Sequence, residues 1–312
     1  MQADTESFPT PPVLKSVLQW GQSLLKSGGS FSGSEARREC EIIVQGLANL
    51  TEVQLFTRSE QLLSSEIAKQ VKDGLLRRFR GEPTAYILQE RGFYGFTFKV
   101  GPGVLVPRPE TELLVDKILE WVDGFKAETA RVADSGSQRA DKAMPKVLDL
   151  CTGSGCVVLA VKALRPEVEA EAQDISAETY TYFSANRQSL GLEGAVEWHD
   201  GDLFTKIEGR YDFISANPPY IGTSEGPAAD RDVAEYEPGL ALFSGKDGLD
   251  LIKRLVSQAP NYLEPGGGLA LEIGCEQGES VRSLMQAAGF ENIEVLQDFN
   301  DLDRVVCGRW RF

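Results

Sequence analysis

The chain has 312 residues, of which 42% are hydrophobic and 25% charged, as in ordinary globular proteins. No stretch approaches the roughly 20 apolar residues of a membrane span, and the N-terminus lacks a targeting pattern, so we expect a cytoplasmic protein with no membrane partner. The net charge of −15 lies mainly after residue 90, where 22 Lys and Arg stand against 36 Asp and Glu. Because duplex DNA is bound largely through basic residues, this balance argues against a nucleic-acid partner.

The cysteines and the histidine argue against a metal site. The five cysteines form no CxxC pair, so they predict neither a disulfide framework nor a zinc site, and we expect reduced, mostly buried thiols. The only histidine, His199, argues against multi-histidine metal sites and histidine-based triads. We therefore predict that the protein uses no metal.

The N-terminal part is predicted to be helical. Over residues 13–80 apolar residues recur every three and four positions, which is typical of a small helical bundle. Ser34 and Ser64 are the expected N-caps of two of its helices. Packing alone and docking of a partner are equally good interpretations of this bundle, which we assign to residues 1–90. Residues 91–106 alternate aromatic and polar side chains before a Gly-Pro-Gly, which predicts a β-hairpin linker.

The second predicted domain covers residues 107–312. A proline-started amphipathic helix is expected over residues 107–125, followed by a polar, aperiodic stretch at 126–145 that predicts a mobile loop. From residue 146 strand and helix patterns alternate, and the chain closes with two strands. Alternating βα units predict an α/β, doubly wound, mostly parallel sheet with an antiparallel C-terminal strand pair.

The first motif is VLDLCTGSGCVVLA at residues 147–160, where an apolar strand passes through a turn of small residues into a helix. Gly153, Ser154 and Gly155 allow a ligand to approach the backbone closely. The dinucleotide fingerprint G-x-G-x-x-G is not met, and Asp149 at the strand end suits a methyltransferase better. A tight turn without a ligand is the structural alternative.

Two further strand ends carry acids. Asp174 lies 19 residues after Gly155, where this kind of fold hydrogen-bonds a ribose diol, although an N-cap role is the alternative. GDLF, residues 201–204, offers an acid and an apolar side chain for the amino edge and one face of an adenine. The three strand ends together leave room for an adenosine with a sulfonium arm.

The motif Asn217-Pro218-Pro219-Tyr220 ends another apolar strand, because proline cannot donate to a strand ladder. A carboxamide or exocyclic amine nitrogen is a weak nucleophile, and a site that accepts both of its N–H bonds turns its lone pair toward an electrophile. The Asn217 side-chain oxygen and the Pro218 carbonyl are the expected acceptors, and Tyr220 is the expected flat wall. We attribute the rate enhancement to positioning and electrostatics. A merely structural turn is the alternative.

In order and spacing, VLDLCTGSG, Asp174, GDLF and NPPY resemble the class I S-adenosylmethionine-dependent methyltransferases that act on amino nitrogens. The stretch 81–115 with its PRPETE block, VAEYEP, LEPGG and LEIGCEQGE narrow the resemblance to the HemK/PrmC family, the peptide chain release factor N5-glutamine methyltransferases. The PRPETE block followed by NPPY is specific. NPPY alone is not, since N6-adenine DNA methyltransferases carry it too.

The resemblance implies a class I methyltransferase (Rossmann-like) fold and methyl transfer to the Gly-Gly-Gln glutamine of class I release factors. It implies an N-terminal domain that helps to grip the release factor, and we expect a monomer. The family usually has Gly where this chain has Cys151. The implied residues for S-adenosylmethionine are Cys151, Thr152, Gly153, Ser154, Gly155, Asp174, Asp202, Leu203 and Asn217, and those for the glutamine are Asn217, Pro218, Pro219 and Tyr220, of which Asn217, Pro218 and Tyr220 are catalytic.

Two rival hypotheses remain open at this point. The first is an N6-adenine nucleic-acid methyltransferase that uses the same NPPY motif to hold a flipped base. The acidic balance after residue 90 and the lack of a basic recognition segment count against it. The second is a non-catalytic scaffold of the translation machinery, against which the intact Asp174 and NPPY argue.

Overall fold

The structure is a computed structural model that describes residues 7–134, 144–223 and 235–311. These residues divide into two compact units, one formed by residues 7–90 with 235–236 and the other by the rest. In the described ranges no helix combines the length and the apolar character needed to cross a lipid bilayer.

The first unit is the helical bundle that the periodicity predicts. A capping box of Ser32 and Glu35 starts its second helix, so the prediction of Ser34 as the N-cap is wrong, whereas Ser64 does cap the fourth helix. Gly21 lets the first two helices approach closely, because a Cβ there would lie 2.6 Å from the Cys40 sulfur. The helices are α1 (Leu14–Ser27), α2 (Gly33–Ala48), α3 (Glu52–Thr57), α4 (Ser65–Phe79) and α5 (Thr84–Leu88).

The second unit begins with a two-stranded hairpin and continues as strands alternating with helices. Its strands are β1 (Glu90–Phe93), β2 (Phe96–Lys99), β3 (Lys146–Leu150), β4 (Glu169–Asp174), β5 (Val196–Asp200), β6 (Tyr211–Ala216), β7 (Leu263–Glu272), β8 (Phe290–Gln297) and β9 (Asp303–Trp310). Its helices are α6 (Glu112–Asp134), α7 (Cys156–Leu164), α8 (Thr179–Ser189), α9 (Asp250–Gln258) and α10 (Gly278–Ala287).

The seven strands β3–β9 form one sheet in the order β5-β4-β3-β6-β7-β9-β8. The five strands from β5 to β7 are parallel, and β9 runs antiparallel to both β7 and β8. One apolar layer packs α6 and α7 against the sheet, and a second packs α9 and α10. The predicted doubly wound fold with an antiparallel C-terminal pair is therefore confirmed.

Three segments differ from the sequence predictions. Helix α6 continues to Asp134, so the prediction of a loop over 126–145 is wrong for its first nine positions; residues 135–143 lie outside the described part. The sequence KAETARVAD contains good helix formers and neither Gly nor Pro, so nothing stops the helix there. The hairpin turns at Tyr94-Gly95 and ends at Lys99, earlier than predicted. Helix α10 lies in a segment for which no element was predicted.

Candidate active site

The predicted site residues follow three neighbouring parallel strands. Cys151 directly follows β3, Asp174 ends β4 and Asn217 directly follows β6. In the sheet register Leu150 pairs with both Gln173 and Ala216. Because the carboxyl ends of parallel strands meet at one sheet edge, these side chains gather at the point where the strand order reverses, the usual ligand position of an open α/β sheet.

A cavity of about 580 Å³ lies at this edge, within the size range of small-molecule sites. Four acids and one base line it, Asp174, Glu178, Asp202, Asp250 and Arg254, and this acidic lining favours a cationic ligand. Of the predicted residues, those in its lining are Cys151, Gly153, Asp174, Asp202, Leu203, Asn217 and Pro219. Those outside its described lining are Thr152, Ser154, Gly155, Pro218 and Tyr220.

Residues 151–155, the glycine turn, are tied to the Asp174 carboxylate through a main-chain N–H group. Asp174 Oδ2 accepts from the Gly153 N–H at 2.8 Å, and Asp174 Oδ1 accepts from the Ser176 N–H at 2.9 Å. Asp174 therefore shapes the turn in addition to facing the cavity. Gly155 has a φ of 82°, and a Cβ there would lie 2.6 Å from the Phe183 ring, so only glycine fits.

Cys151 holds an unusual backbone conformation in the same turn. Its φ is 55°, in the left-handed region that favours glycine, the residue that the resemblance implies for this position. Burial, together with the carboxylates of Asp174, Asp149 and Asp202, raises the pKa of the Cys151 thiol well above its usual value. The thiol is therefore neutral and is not a nucleophile.

Asp149 lies beneath the turn and supports it from inside. It is 2% exposed and accepts hydrogen bonds from the hydroxyls of Thr152, at 2.6 Å, and Ser215, at 2.7 Å. Burial raises the pKa of Asp149 to about 6, against the opposing effect of these hydrogen bonds. Asp149 is thus a structural acid and does not line the cavity in the described structure.

Asp202 and Leu203, which follow the end of β5, line the cavity. Leu203 is 3% exposed, whereas the Asp202 carboxylate is partly exposed and accepts from Arg254 Nη2 at 2.6 Å. The predicted adenine acceptor therefore already has a cationic neighbour. A ligand amino group has to share Asp202 with Arg254.

The Asn-Pro-Pro-Tyr corner, residues 217–220, is held by side chains from distant segments. Asn217 Nδ2 donates to Thr111 Oγ1 at 3.3 Å, which leaves the Asn217 oxygen free of this contact. The Tyr220 hydroxyl donates to Glu272 Oε1 at 3.1 Å. The Tyr220 carbonyl accepts from Gln277 Nε2 at 2.9 Å, so both ends of Tyr220 are fixed.

An ion pair between Arg108 and Glu237 supports one cavity wall. Arg108 Nη2 donates to Glu237 Oε1 at 2.6 Å, and the Glu237 side chain is fully buried. Burial raises the pKa of Glu237, and Arg108 opposes that rise. Glu237 directly precedes Pro238 and Gly239, which line the cavity. The pair therefore links the PRPETE block to one cavity wall.

His199 lies outside the cavity lining, on β5. Its Nε2 lies 2.8 Å from Glu171 Oε2, which also accepts from the Tyr211 hydroxyl at 2.8 Å. Glu171, Glu197 and His199 bring ligand atoms within 4.8 Å of one another, as exposed acidic groups commonly do without an ion.

Sequence reasoning missed several residues that position the site, namely Thr111, Asn186, Glu237, Arg254, Glu272 and Gln277. Asn186 is fully buried and donates to the Ser154 carbonyl at 2.9 Å, which ties the glycine turn to α8. Glu272 has a partial signal in the sequence, since it directly follows the apolar residues 269–271 at the end of β7, and a buried acid is rare unless it is paired.

The fold and the site define a Rossmann-like methyltransferase. Residues 131–235 match the methyltransferase small domain family, and residues 16–88 match the PrmC N-terminal domain family. Among solved structures, the hMettl16 catalytic domain shares the fold with a TM-score of 0.51, at 14% identity, over 81% of this chain and 84% of that one.

The chain belongs to the release factor glutamine methyltransferase family, which confirms the resemblance to HemK/PrmC proteins. It is 38% identical over 275 residues to the release factor glutamine methyltransferase of Neisseria gonorrhoeae, covering 87% of this chain and 93% of the relative. It is 36% identical over 299 residues to that of Leptospira interrogans, covering 95% and 98%. The chain is therefore an enzyme of the methyltransferase class.

Proposed function

We propose that this chain transfers the methyl group of S-adenosylmethionine to the side-chain amide nitrogen of a glutamine in a peptide chain release factor. One observation carries the proposal: Asn217 lines the same cavity as Asp174 and Asp202, with its Nδ2 held by Thr111. A hydrogen-bond acceptor thus stands at the edge of an acidic pocket suited to a sulfonium cation.

The cavity residues fit the parts of this cosubstrate. Asp174 is the proposed acceptor of the ribose hydroxyls, and the Leu203 side chain and the Asp202 carboxylate are the proposed contacts of the adenine face and amino edge; all three residues line the cavity. Cys151 and Gly153 expose the turn to the methionine arm. The Gly153 N–H already bonds Asp174, and the N–H groups of Thr152 and Gly155 bond main-chain carbonyls, so the turn does not offer them freely to a pyrophosphate.

The chemical step is the transfer of a methyl group to the amide nitrogen. The amide nitrogen forms a bond to the methyl carbon while the carbon–sulfur bond breaks and leaves a thioether, and the nitrogen then loses a proton to solvent. Asn217 Oδ1 and the Pro218 carbonyl are the proposed acceptors for the two amide N–H groups. Their role is to orient the lone pair and to stabilise the positive charge that develops on nitrogen.

The wider assignments belong to the same proposal. Residues 1–90 form the release-factor docking domain, residues 91–106 the linker and residues 107–312 the catalytic domain of a cytoplasmic monomer. The match of residues 16–88 to the PrmC N-terminal domain supports a separate N-terminal domain, and the relatives' names support a release factor as the partner. The relatives do not favour adenine as the acceptor.

Methyl transfer from radiolabelled S-adenosylmethionine tests the proposal. The substrates are an unmodified release factor, the same factor with its Gly-Gly-Gln glutamine replaced by alanine, and duplex DNA. We expect label on the unmodified factor alone. Label on DNA alone would assign the site to adenine, and absence of S-adenosylmethionine binding by calorimetry would favour a non-catalytic scaffold.

A further inference from the structure

A buried carboxylate stands directly behind the Asn-Pro-Pro-Tyr corner. Glu272, the last residue of β7, is 1% exposed and accepts from the Tyr220 hydroxyl at 3.1 Å. The neighbouring Thr111 hydroxyl lowers the pKa of this carboxylate. A carboxylate this deeply buried is costly unless its oxygens are satisfied, so its placement calls for an explanation.

Thr111 connects this carboxylate to Asn217. It is 2% exposed, and its Oγ1 accepts the Asn217 Nδ2–H. Glu272 Oε2 has no hydrogen-bond partner within residues 7–134, 144–223 and 235–311, and the Thr111 hydroxyl, which lowers the pKa of Glu272, has one proton to donate. A Thr111 proton turned toward Oε2 would extend the donation from Asn217 through Thr111 to Glu272.

We propose that Glu272 is a positioning residue whose ionised carboxylate holds the Thr111 proton and thereby fixes Asn217 with its side-chain oxygen toward the cavity. The inference rests on the proposed function, in which that oxygen accepts from the substrate amide. Thr111 is the intermediate, since a hydroxyl that donates to Glu272 presents its lone pairs to Asn217.

Protonation of Glu272 reverses this preference. A neutral carboxyl donates to Thr111, and the Thr111 proton is then free to bond the Asn217 oxygen. The amide flips, and its NH₂ group faces the cavity, where it cannot accept a hydrogen bond from the substrate. The substitution Glu272→Gln has the same effect at every pH.

The groups facing Glu272 set the pH at which this occurs. Burial and, to a smaller extent, the Glu110 carboxylate raise the pKa of Glu272 to about 7, against the opposing effects of Thr111, Tyr220 and Arg304. Cys156, whose own pKa is raised to about 12, stays neutral beside it. The active, ionised form of Glu272 therefore gains population as the pH rises through about 7.

Steady-state kinetics with the release factor compare Glu272→Gln with Glu171→Gln, an acid on β4 outside the cavity lining. We expect kcat to fall about 10- to 100-fold in Glu272→Gln, with little change in KM for S-adenosylmethionine, and to stay at the wild-type value in Glu171→Gln. The rise of kcat through about pH 7 disappears in Glu272→Gln. Thr111→Val has the same defect, and Thr111→Ser recovers most of the loss.

A second readout requires no methyl acceptor. In wild-type protein labelled with ¹⁵N, the side-chain amide resonances of Asn217 should titrate together with Glu272, and this titration should vanish in Glu272→Gln. Unchanged Asn217 resonances in that variant, or a wild-type pH profile of kcat, would overturn the inference. A wild-type enzyme that leaves the release factor unlabelled overturns the proposed function instead, while the resonances still decide whether Glu272 controls Asn217.

Discussion

The two ends of the cavity are built by different means. In the glycine turn the hydrogen bonds are made mainly to main-chain groups, since the Gly153 N–H donates to Asp174 and the Ser154 carbonyl accepts from Asn186. The Asn-Pro-Pro-Tyr corner is held by the side chains of Thr111, Glu272 and Gln277, which come from two segments distant from it in sequence. The first end depends on backbone shape, whereas the second depends on the direction of side-chain hydrogen bonds and includes a buried titratable group.

The largest expected effect is a loss of turnover in a variant of Asn217, and it distinguishes the role of the Asn-Pro-Pro-Tyr corner from that of the glycine turn. Asn217→Ala removes the proposed acceptor of the substrate amide, and we expect turnover to fall about 10²- to 10³-fold, as when one oxyanion-hole donor is removed. Calorimetry should find S-adenosylmethionine affinity nearly unchanged. Equal losses of affinity and turnover would place Asn217 at the cofactor end and remove the distinction.

The next prediction concerns stability and pH. The pKa of Glu272 is raised from 4.5 to about 7 in the folded state, so the folded protein binds the extra proton in this interval. The stability contributed at low pH is therefore lost as the pH rises from the unfolded to the folded pKa. Glu272→Gln should remove this loss and raise the free energy of unfolding near pH 8 by up to about 3 kcal/mol.

Urea unfolding of wild type and Glu272→Gln at about pH 5 and about pH 8 measures this effect. The difference between the two proteins should be larger at the higher pH. Asp149, with its pKa raised to about 6, keeps a smaller pH dependence in both proteins. Parallel stability curves across this range would mean that Glu272 is ionised without penalty.

A third prediction tests the turn. Asp174→Ala leaves the Gly153 N–H without its acceptor and removes the proposed ribose contact. We expect S-adenosylmethionine affinity to fall about 10- to 30-fold, within the range for a hydrogen bond to a charged group. Turnover at saturating cofactor should change little. Asp200→Ala is the matched control, since Asp200 pairs with Asp174 in register but is exposed and outside the cavity lining.

The smallest expected effect is at Cys151. Glycine there relieves the left-handed strain of about 1–2 kcal/mol but adds flexibility to the unfolded chain. We expect Cys151→Gly to raise the free energy of unfolding by less than about 1 kcal/mol. Cys151→Ala removes the thiol and keeps the strain, so it should show no gain. A gain in the alanine variant would assign the effect to the thiol.

The difference between the glycine turn and the Asn-Pro-Pro-Tyr corner also explains which site residues can be predicted from the sequence. The glycine turn and the polar strand ends can be predicted because each is encoded in a few consecutive residues, and β-strand patterns place them at one edge. The positioning roles of Thr111 and Glu272 cannot be predicted in this way. They arise only when the short 3-10 helix Pro109–Thr111, the end of β7 and the Asn-Pro-Pro-Tyr corner come together in space. Ser32 is different, because Ser32 to Glu35 has the capping-box spacing and was open to prediction.

The placement of β9 has a consequence for how the enzyme is assembled. β9 lies between β7 and β8, so β8 reaches the sheet only through a strand that follows it in the chain. The sheet therefore cannot be completed by adding strands in order of synthesis, since β8 joins it only once β9 has paired with β7. Val305 of β9 pairs with Glu272, so a nascent chain halted before residue 303 would carry every recognisable motif yet lack the strand that pairs with Glu272.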